Sequence, residues 1–249
     1  MAKVKGIVHI EGSMDDFVFY TLQGIRCVRR KDKKQSERIK SDANFERTRE
    51  NNREFGQCSG SGKLLRQALA PMLLKAKDER LASRMLGVMA KIKDLDTLSM
   101  RGERKVSEGI KTVEGQLLLK GFDFNIHAPL SSVLKTGWEV DPDTGRVLFV
   151  DFNPGRQLTF PMGATHARFM LAATRVDFDT FKHTTAYSEA TDVPSGDTPV
   201  SLVLAMTPPP EGNGSVFYIL SLSFFQEMNG QLYSLQNEKG NVLHVLEAF

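Results

Sequence analysis

The chain has 249 residues and a formal net charge of +3, with 41% hydrophobic and 25% charged residues, a balance that excludes wholesale disorder. No stretch reaches the roughly 18 uninterrupted apolar residues of a membrane helix, so no membrane span is expected. Two cysteines, Cys27 and Cys58, cannot build a disulfide framework. With no signal-peptide-like apolar run at the start, they point to a reducing, cytoplasmic setting.

The charge is unevenly placed. Residues 1–120 hold 26 Lys and Arg against 16 Asp and Glu, a net +10, and residues 121–249 hold 7 against 14, a net −7. A basic half joined to an acidic half fits a polyanion partner, or contact between the halves of neighbouring copies.

In chain order, residues 4–10 alternate loosely, as a strand does. Residues 17–22 and 25–28 read as two strands around the turn Gln23-Gly24. Two strands are marginal in water, so this arm needs a third strand or a partner. Residues 29–40 are almost wholly polar and read as a solvated loop, a polyanion-binding loop or a protein–protein contact. Asp42 is a candidate N-cap for a helix to about Phe55, with Phe45 and Phe55 as docking anchors. Its local charge pairs contribute only about 0.2–0.5 kcal/mol each and cannot hold it alone. Gln57–Lys63, QCSGSGK, lacks the first glycine and final hydroxyl of a phosphate loop and reads as a glycine-rich helix break. Pro71 either kinks the next helix or opens a new one. Leu81, Met85, Val88, Met89 and Ile92 form a stripe of period 3.6, completing a small helical bundle.

Basic residues become sparse after Gly121 and strand formers take over. Strands are expected at 138–140, 147–152, 157–160, 167–178, 184–190, 199–207, 215–225, 231–235 and 242–246. Residues 141–145 and Asn229-Gly230 are hairpin turns, and residues 216–222, nearly all apolar, read as a central strand. The expected fold class is α+β. A basic β-hairpin arm and helical bundle span 1–120, and an acidic antiparallel β-sandwich, Ig-like or jelly-roll-like, spans 121–249.

Catalytic signals are sparse. The five histidines show no metal-ligand spacing, and only His166 and His183 stand to meet, if their strands pair. No nucleophile elbow is present. No cofactor, metal or small-molecule substrate is expected.

The segments FYTLQGIRCVRRK (19–31), RTRENNREFG (47–56), GKLLRQAL (62–69), RGERKVSEG (101–109), GFDFN (121–125), GATH (163–166) and FFQEMNGQLYSL (224–235) resemble a family of uncharacterised conserved proteins of Bacteroidota-type bacteria. The resemblance implies one evolutionary unit over nearly the whole chain and brings no activity, cofactor or catalytic residue with it. Architecture alone offers a looser analogy, to subunits of virion-like or tubular assemblies. The leading expectation is a non-enzymatic structural or interaction protein that self-assembles. Its partner-binding residues are Arg29, Arg30, Lys31, Arg47, Arg49 and Arg53. The alternative is nucleic-acid binding through the same basic stretch.

Overall fold

The computed structural model describes residues 2–3, 10–31, 33–141, 144–206, 208–235 and 240–249, with the side chains of 2–3 and 33–36 outside the description. The strand expected at 4–10 therefore lies almost wholly outside the described residues, as do the tip of the 141–145 turn and residue 207 of the expected strand at 199–207. The fold is α+β with antiparallel sheets. Contact density divides it into two compact units, residues 1–52 and 53–249.

The first unit is a four-stranded sheet followed by helix. β1 (Ala2–Lys3), β2 (Gly12–Met14), β3 (Phe17–Leu22) and β4 (Ile25–Arg30) assemble in the order β1-β4-β3-β2. The β3–β4 turn places Gln23 at φ 51° and Gly24 at φ 76°, the left-handed pair of a two-residue hairpin whose twist suits the strands. The polar stretch expected as a loop instead continues β4 to Arg30 and then forms α1 (Lys33–Ser41). Asp42 does cap, but what it caps is a short 3-10 turn, Ala43–Phe45, accepting from Asn44 N at 3.0 Å.

α2 (Glu46–Ala68) follows and does not break at its glycines. In the second unit the small residues of α2 sit where neighbours come close. A β-carbon on Gly62 would lie 3.0 Å from Met85 Cγ, and one on Gly60 would lie 2.9 Å from the Phe181 ring. Glycine inside a helix costs about 1 kcal/mol. Here that cost is met by packing that a larger residue would prevent. α2 buries Cys58, Ser61, Leu65 and Ala68 against α4 (Leu81–Asp94), whose Leu81, Met85, Met89 and Ile92 recur at helical spacing. Pro71 opens α3 (Ala70–Leu73) in its first turn. α5 (Val106–Gly109) and α6 (Val113–Leu119) complete the helical layer, with Thr112 accepting from Gly115 N at 3.0 Å as the α6 cap.

The helices rest on a six-stranded antiparallel sheet. Its middle is β7 (His166–Asp177) paired with β11 (Ser215–Met228) from His166↔Phe225 to Val176↔Ser215. β8 (Lys182–Tyr187) and β9 (Thr191–Pro194) share the outer edge of β7. β12 (Gln231–Ser234) and β13 (Val242–Ala248) share that of β11. A second sheet has the order β10-β6-β5, formed by β5 (Glu139–Asp141), β6 (Arg146–Phe152) and β10 (Val200–Ala205). Short helices α7 (Leu130–Val133) and α8 (Pro154–Gln157) lie in the connections, so residues 157–160 form no strand beyond a single Leu134–Leu158 bridge. Asn153 caps α8, accepting from Arg156 N, with Pro154 at the first turn, a start signal that outweighed the alternation of 157–160.

Strand alternation gives the central sheet two apolar faces. Ala172, Val176, Phe217, Ile219, Leu243 and Val245 pack with the helices. Phe169, Leu171, Tyr218, Leu220 and Leu222 pack with Val147, Phe149, Phe152, Leu202 and Leu204 of the second sheet. The rings of Phe149, Phe152 and Phe169 meet edge-on or tilted at 5.7–6.3 Å, and each buried ring contributes about 1.5–3 kcal/mol. One apolar cluster thus joins helices before residue 120 with strands after it, and the packing divides at Asn52/Arg53, not where the composition changes.

Candidate interaction surface

Among its described residues the four-stranded sheet of the first unit has almost no core. Among described residues 10–31 only Cys27 is buried. Register and alternation place Phe17 beside Arg30, Phe19 beside Val28 and Thr21 beside Arg26 on one face, with Met14 beside Phe17. Met14 is 52% and Phe17 47% exposed. This face therefore carries aromatic rings, a thioether and two guanidinium groups. The other face holds Val18, Tyr20, Cys27 and Arg29.

The six residues expected to bind a partner are not one patch. Arg29 and Arg30 are neighbours on a strand and point to opposite faces. Arg30 approaches Asp16 at 3.7 Å and is largely exposed. Lys31 Nζ donates to Asp15 O at 2.9 Å, closing the β2–β3 turn against the end of β4. Arg47 pairs with Glu50 at 2.9 Å, one helical turn on. Arg49 is half-buried, and its Nη1 donates to the carbonyls of Ile39 and Asp42 at 2.9 and 2.8 Å, so it satisfies groups at the end of α1. Arg53 is exposed and falls in the second unit. Arg49 is thus a structural clasp, and Arg30 is the one of the six that lies beside exposed aromatic surface. Phe55 is 60% exposed, and within the chain the helix is fastened at this point by the neighbouring Glu54.

Glu54 is buried in the second unit. Its Oε1 accepts from Gly102 N at 2.7 Å and Arg104 Nε at 2.8 Å, and its Oε2 accepts from Lys93 Nζ and Arg104 Nη2, both at 2.8 Å. The Arg104 guanidinium, aided by Lys93 and the Gly102 amide, outweighs burial and holds the carboxyl down at about 2. Arg104 is committed to this clamp.

His166 pairs with Pro194 at the start of β7, whereas His183 lies opposite Val176 near its end. The two histidines are about 33 Å apart along the strand and form no joint site. His244 Nδ1 and Asp123 Oδ1 lie 2.6 Å apart, but Asp123 also accepts from Leu130 N at 3.0 Å, as part of the fastening of residues 121–125 to β13. Among the described residues no group of three or more His, Cys, Asp or Glu is placed to hold a metal ion. No helix among them is long and apolar enough to cross a membrane.

Cys58 Sγ faces Met89 O at 3.7 Å, and burial pushes its thiol pKa up. Native protein at pH 8 is therefore expected to leave Cys58 unmodified by a thiol reagent that labels it fully in urea, as read by mass spectrometry. Rapid native labelling would show that α2 leaves α4 readily.

The aromatic and basic face was open to detection before the fold. A two-residue turn at Gln23-Gly24 pairs Leu22 with Ile25, and counting outward places Phe17 opposite Arg30. Comparisons with protein-family models, curated proteins and solved structures find no match.

Proposed function

We propose that this is a non-enzymatic interaction protein that self-associates, one copy upon another, through the face of its N-terminal sheet bearing Met14, Phe17, Phe19 and Arg30. The observation that carries this reading is the sheet's lack of a core: its strands expose large apolar side chains and bury Cys27 alone among described residues 10–31. A small sheet of that kind needs a second surface to be stable. A second copy is the chosen occupant because residues 121–249 of each copy supply a net −7 against the net +10 of residues 1–120. The same proposal places the protein in a reducing, cytoplasmic setting, supported by its two free cysteines. It also takes residues 121–249 as a two-sheet sandwich, supported by the apolar cluster shared between the second sheet and one face of the central sheet.

Size-exclusion chromatography with light scattering tests the reading. The protein is expected to run as a dimer or larger at micromolar concentration, and Met14→Ser with Phe17→Ser is expected to release monomer. A strictly monomeric protein, indifferent to salt and to these substitutions, would sink it.

A second reading has its own support in the register. Phe17 and Phe19 flanked by Arg26 and Arg30 match the ingredients of a stacking surface for single-stranded nucleic acid. Anisotropy with labelled oligo-dT and oligo-U distinguishes it: binding at low salt that weakens steeply with added salt and disappears in Phe17→Ser supports it. No binding at low salt removes it.

A further inference from the structure

The helix-facing side of the central sheet changes character along its length. Beneath the helices it presents Ala172, Val176, Phe217 and Ile219. One step further along the same strands it presents Ser221 and Ser223 on β11, opposite Met170 and Arg168 on β7. These residues floor a cavity of about 300 Å³, with Met72 and Lys75 beside the α3 end of the helical layer and Tyr187 also lining it.

The serines are the unexpected part. They interrupt the apolar run Val216–Phe225 of β11, and they are only 8% and 6% exposed. Neither hydroxyl has a hydrogen-bond partner among the described residues. Among the described residues the fully enclosed polar side-chain atoms without a partner are Gln57 Oε1 and Ser61 Oγ, so the two serine oxygens are instead reached from the cavity and are free to bond to what enters it. Both hydroxyls open onto the cavity.

The charges around them define what fits. Arg168 is held by Asp192, Nε to Oδ1 at 2.6 Å and Nη2 to Oδ2 at 2.7 Å, and its guanidinium lies over the Phe225 ring at 4.3 Å. That pairing largely cancels its charge and fixes its place. Lys75 lines the same cavity and has no ion-pair partner among the described residues. Burial raises the Tyr187 pKa, so its phenol stays a neutral donor. Met72 and Met170 supply adaptable apolar walls.

We propose that this cavity binds a small organic carboxylate with an apolar body, the carboxylate taking hydrogen bonds from Ser221 and Ser223 and the charge of Lys75. The volume lies at the lower end for ligand sites and suits a molecule roughly the size of benzoate or hexanoate. A phosphate fits less well, because the one guanidinium lining the cavity is already committed to Asp192.

Ligand-observed fluorine NMR with 4-fluorobenzoate, on the full chain, tests this independently of whether copies associate. The probe is expected to bind the wild type at about millimolar or better, and 4-fluorobenzyl alcohol about tenfold more weakly. Hexanoate is expected to displace the probe. Ser221→Val with Ser223→Val is expected to lose binding about tenfold while melting as a folded protein. Lys75→Gln, on an exposed residue, is expected to erase the preference for the acid over the alcohol, which keeps the proposal open to refutation if the valine variant fails to fold. No binding at about 5 mM, equal binding of acid and alcohol, or binding unchanged in Lys75→Gln would each overturn it.

Discussion

Gly109→Ala is expected to prevent stable folding, or to lower the unfolding free energy by about 4 kcal/mol or more. α5 crosses α4 so closely that a β-carbon at Gly109 would fall inside the van der Waals envelope of the Ile92 carbonyl oxygen, with the Ile92 carbonyl carbon only 2.7 Å away. The clash is with backbone, so no side-chain rotation relieves it. Nor is there room behind, because α6 meets the same glycine from its other side: a β-carbon on Gly115 would strike the Gly109 carbonyl. Urea unfolding followed by circular dichroism reads the effect. Gly87→Ala is the control, since no heavy atom lies within 4 Å of the added carbon, and it is expected to be neutral or slightly stabilising. If Gly109→Ala unfolds like the wild type, α4 and α5 do not pack at this distance in solution.

Glu54→Ala ranks second, with an expected loss of about 3 kcal/mol. Removing the carboxylate strands the buried Lys93 ammonium and the inner side of Arg104, and it releases the Gly102 amide. The loss is moderated because exposed Asp94 also lies 2.7 Å from Lys93 and 3.2 Å from Arg104. The clamp has a defined pH dependence. Its carboxyl titrates at about 2 in the folded protein, against 4.5 for an unperturbed glutamate. A depressed folded value means that the stabilisation is complete above about 4.5, declines as pH falls, and is gone below about 2. Unfolding free energies measured across that window should slope for the wild type and flatten for Glu54→Gln. Equal slopes would show that other carboxylates, not Glu54, carry the acid sensitivity.

The strands were largely legible because their signals are local. Asn229 at φ 53° and Gly230 at φ 75° make the expected hairpin, and β11 is the central strand its apolar run implies. The α4 stripe was legible for the same reason. α2 was not, because the value of Gly60 and Gly62 exists only against Phe181 and Met85, residues distant in sequence. Composition changes near 120 while contact density divides the chain at Asn52/Arg53, because composition reports surfaces and contact density follows which apolar faces meet. The basic stretch suffered a comparable loss: Arg29 and Arg30 are adjacent in sequence yet lie on opposite faces, and Arg49 and Arg104 are spent on carbonyls and on Glu54. The serines of the cavity were visible within 216–222 and just beyond it, but a hydroxyl's lack of partners cannot be read without the neighbouring strand and helix.

Residues 121–125 have one more consequence. Gly121 N donates to Val245 O, Val245 N to Phe122 O and Phe124 N to Leu243 O, so this segment runs along the outer side of β13. Arg84 pins it from α4, donating to the Asp123 and Phe124 carbonyls and lying over the Phe122 ring. The chain thereby occupies, over Leu243–Val245, hydrogen-bonding groups that a foreign strand would otherwise join. Growth of fibres by stacking central sheets edge to edge needs matching free ladders on opposite sides. On one of those sides the ladder is already occupied from within over Leu243–Val245, which hinders the joining of a second sheet there.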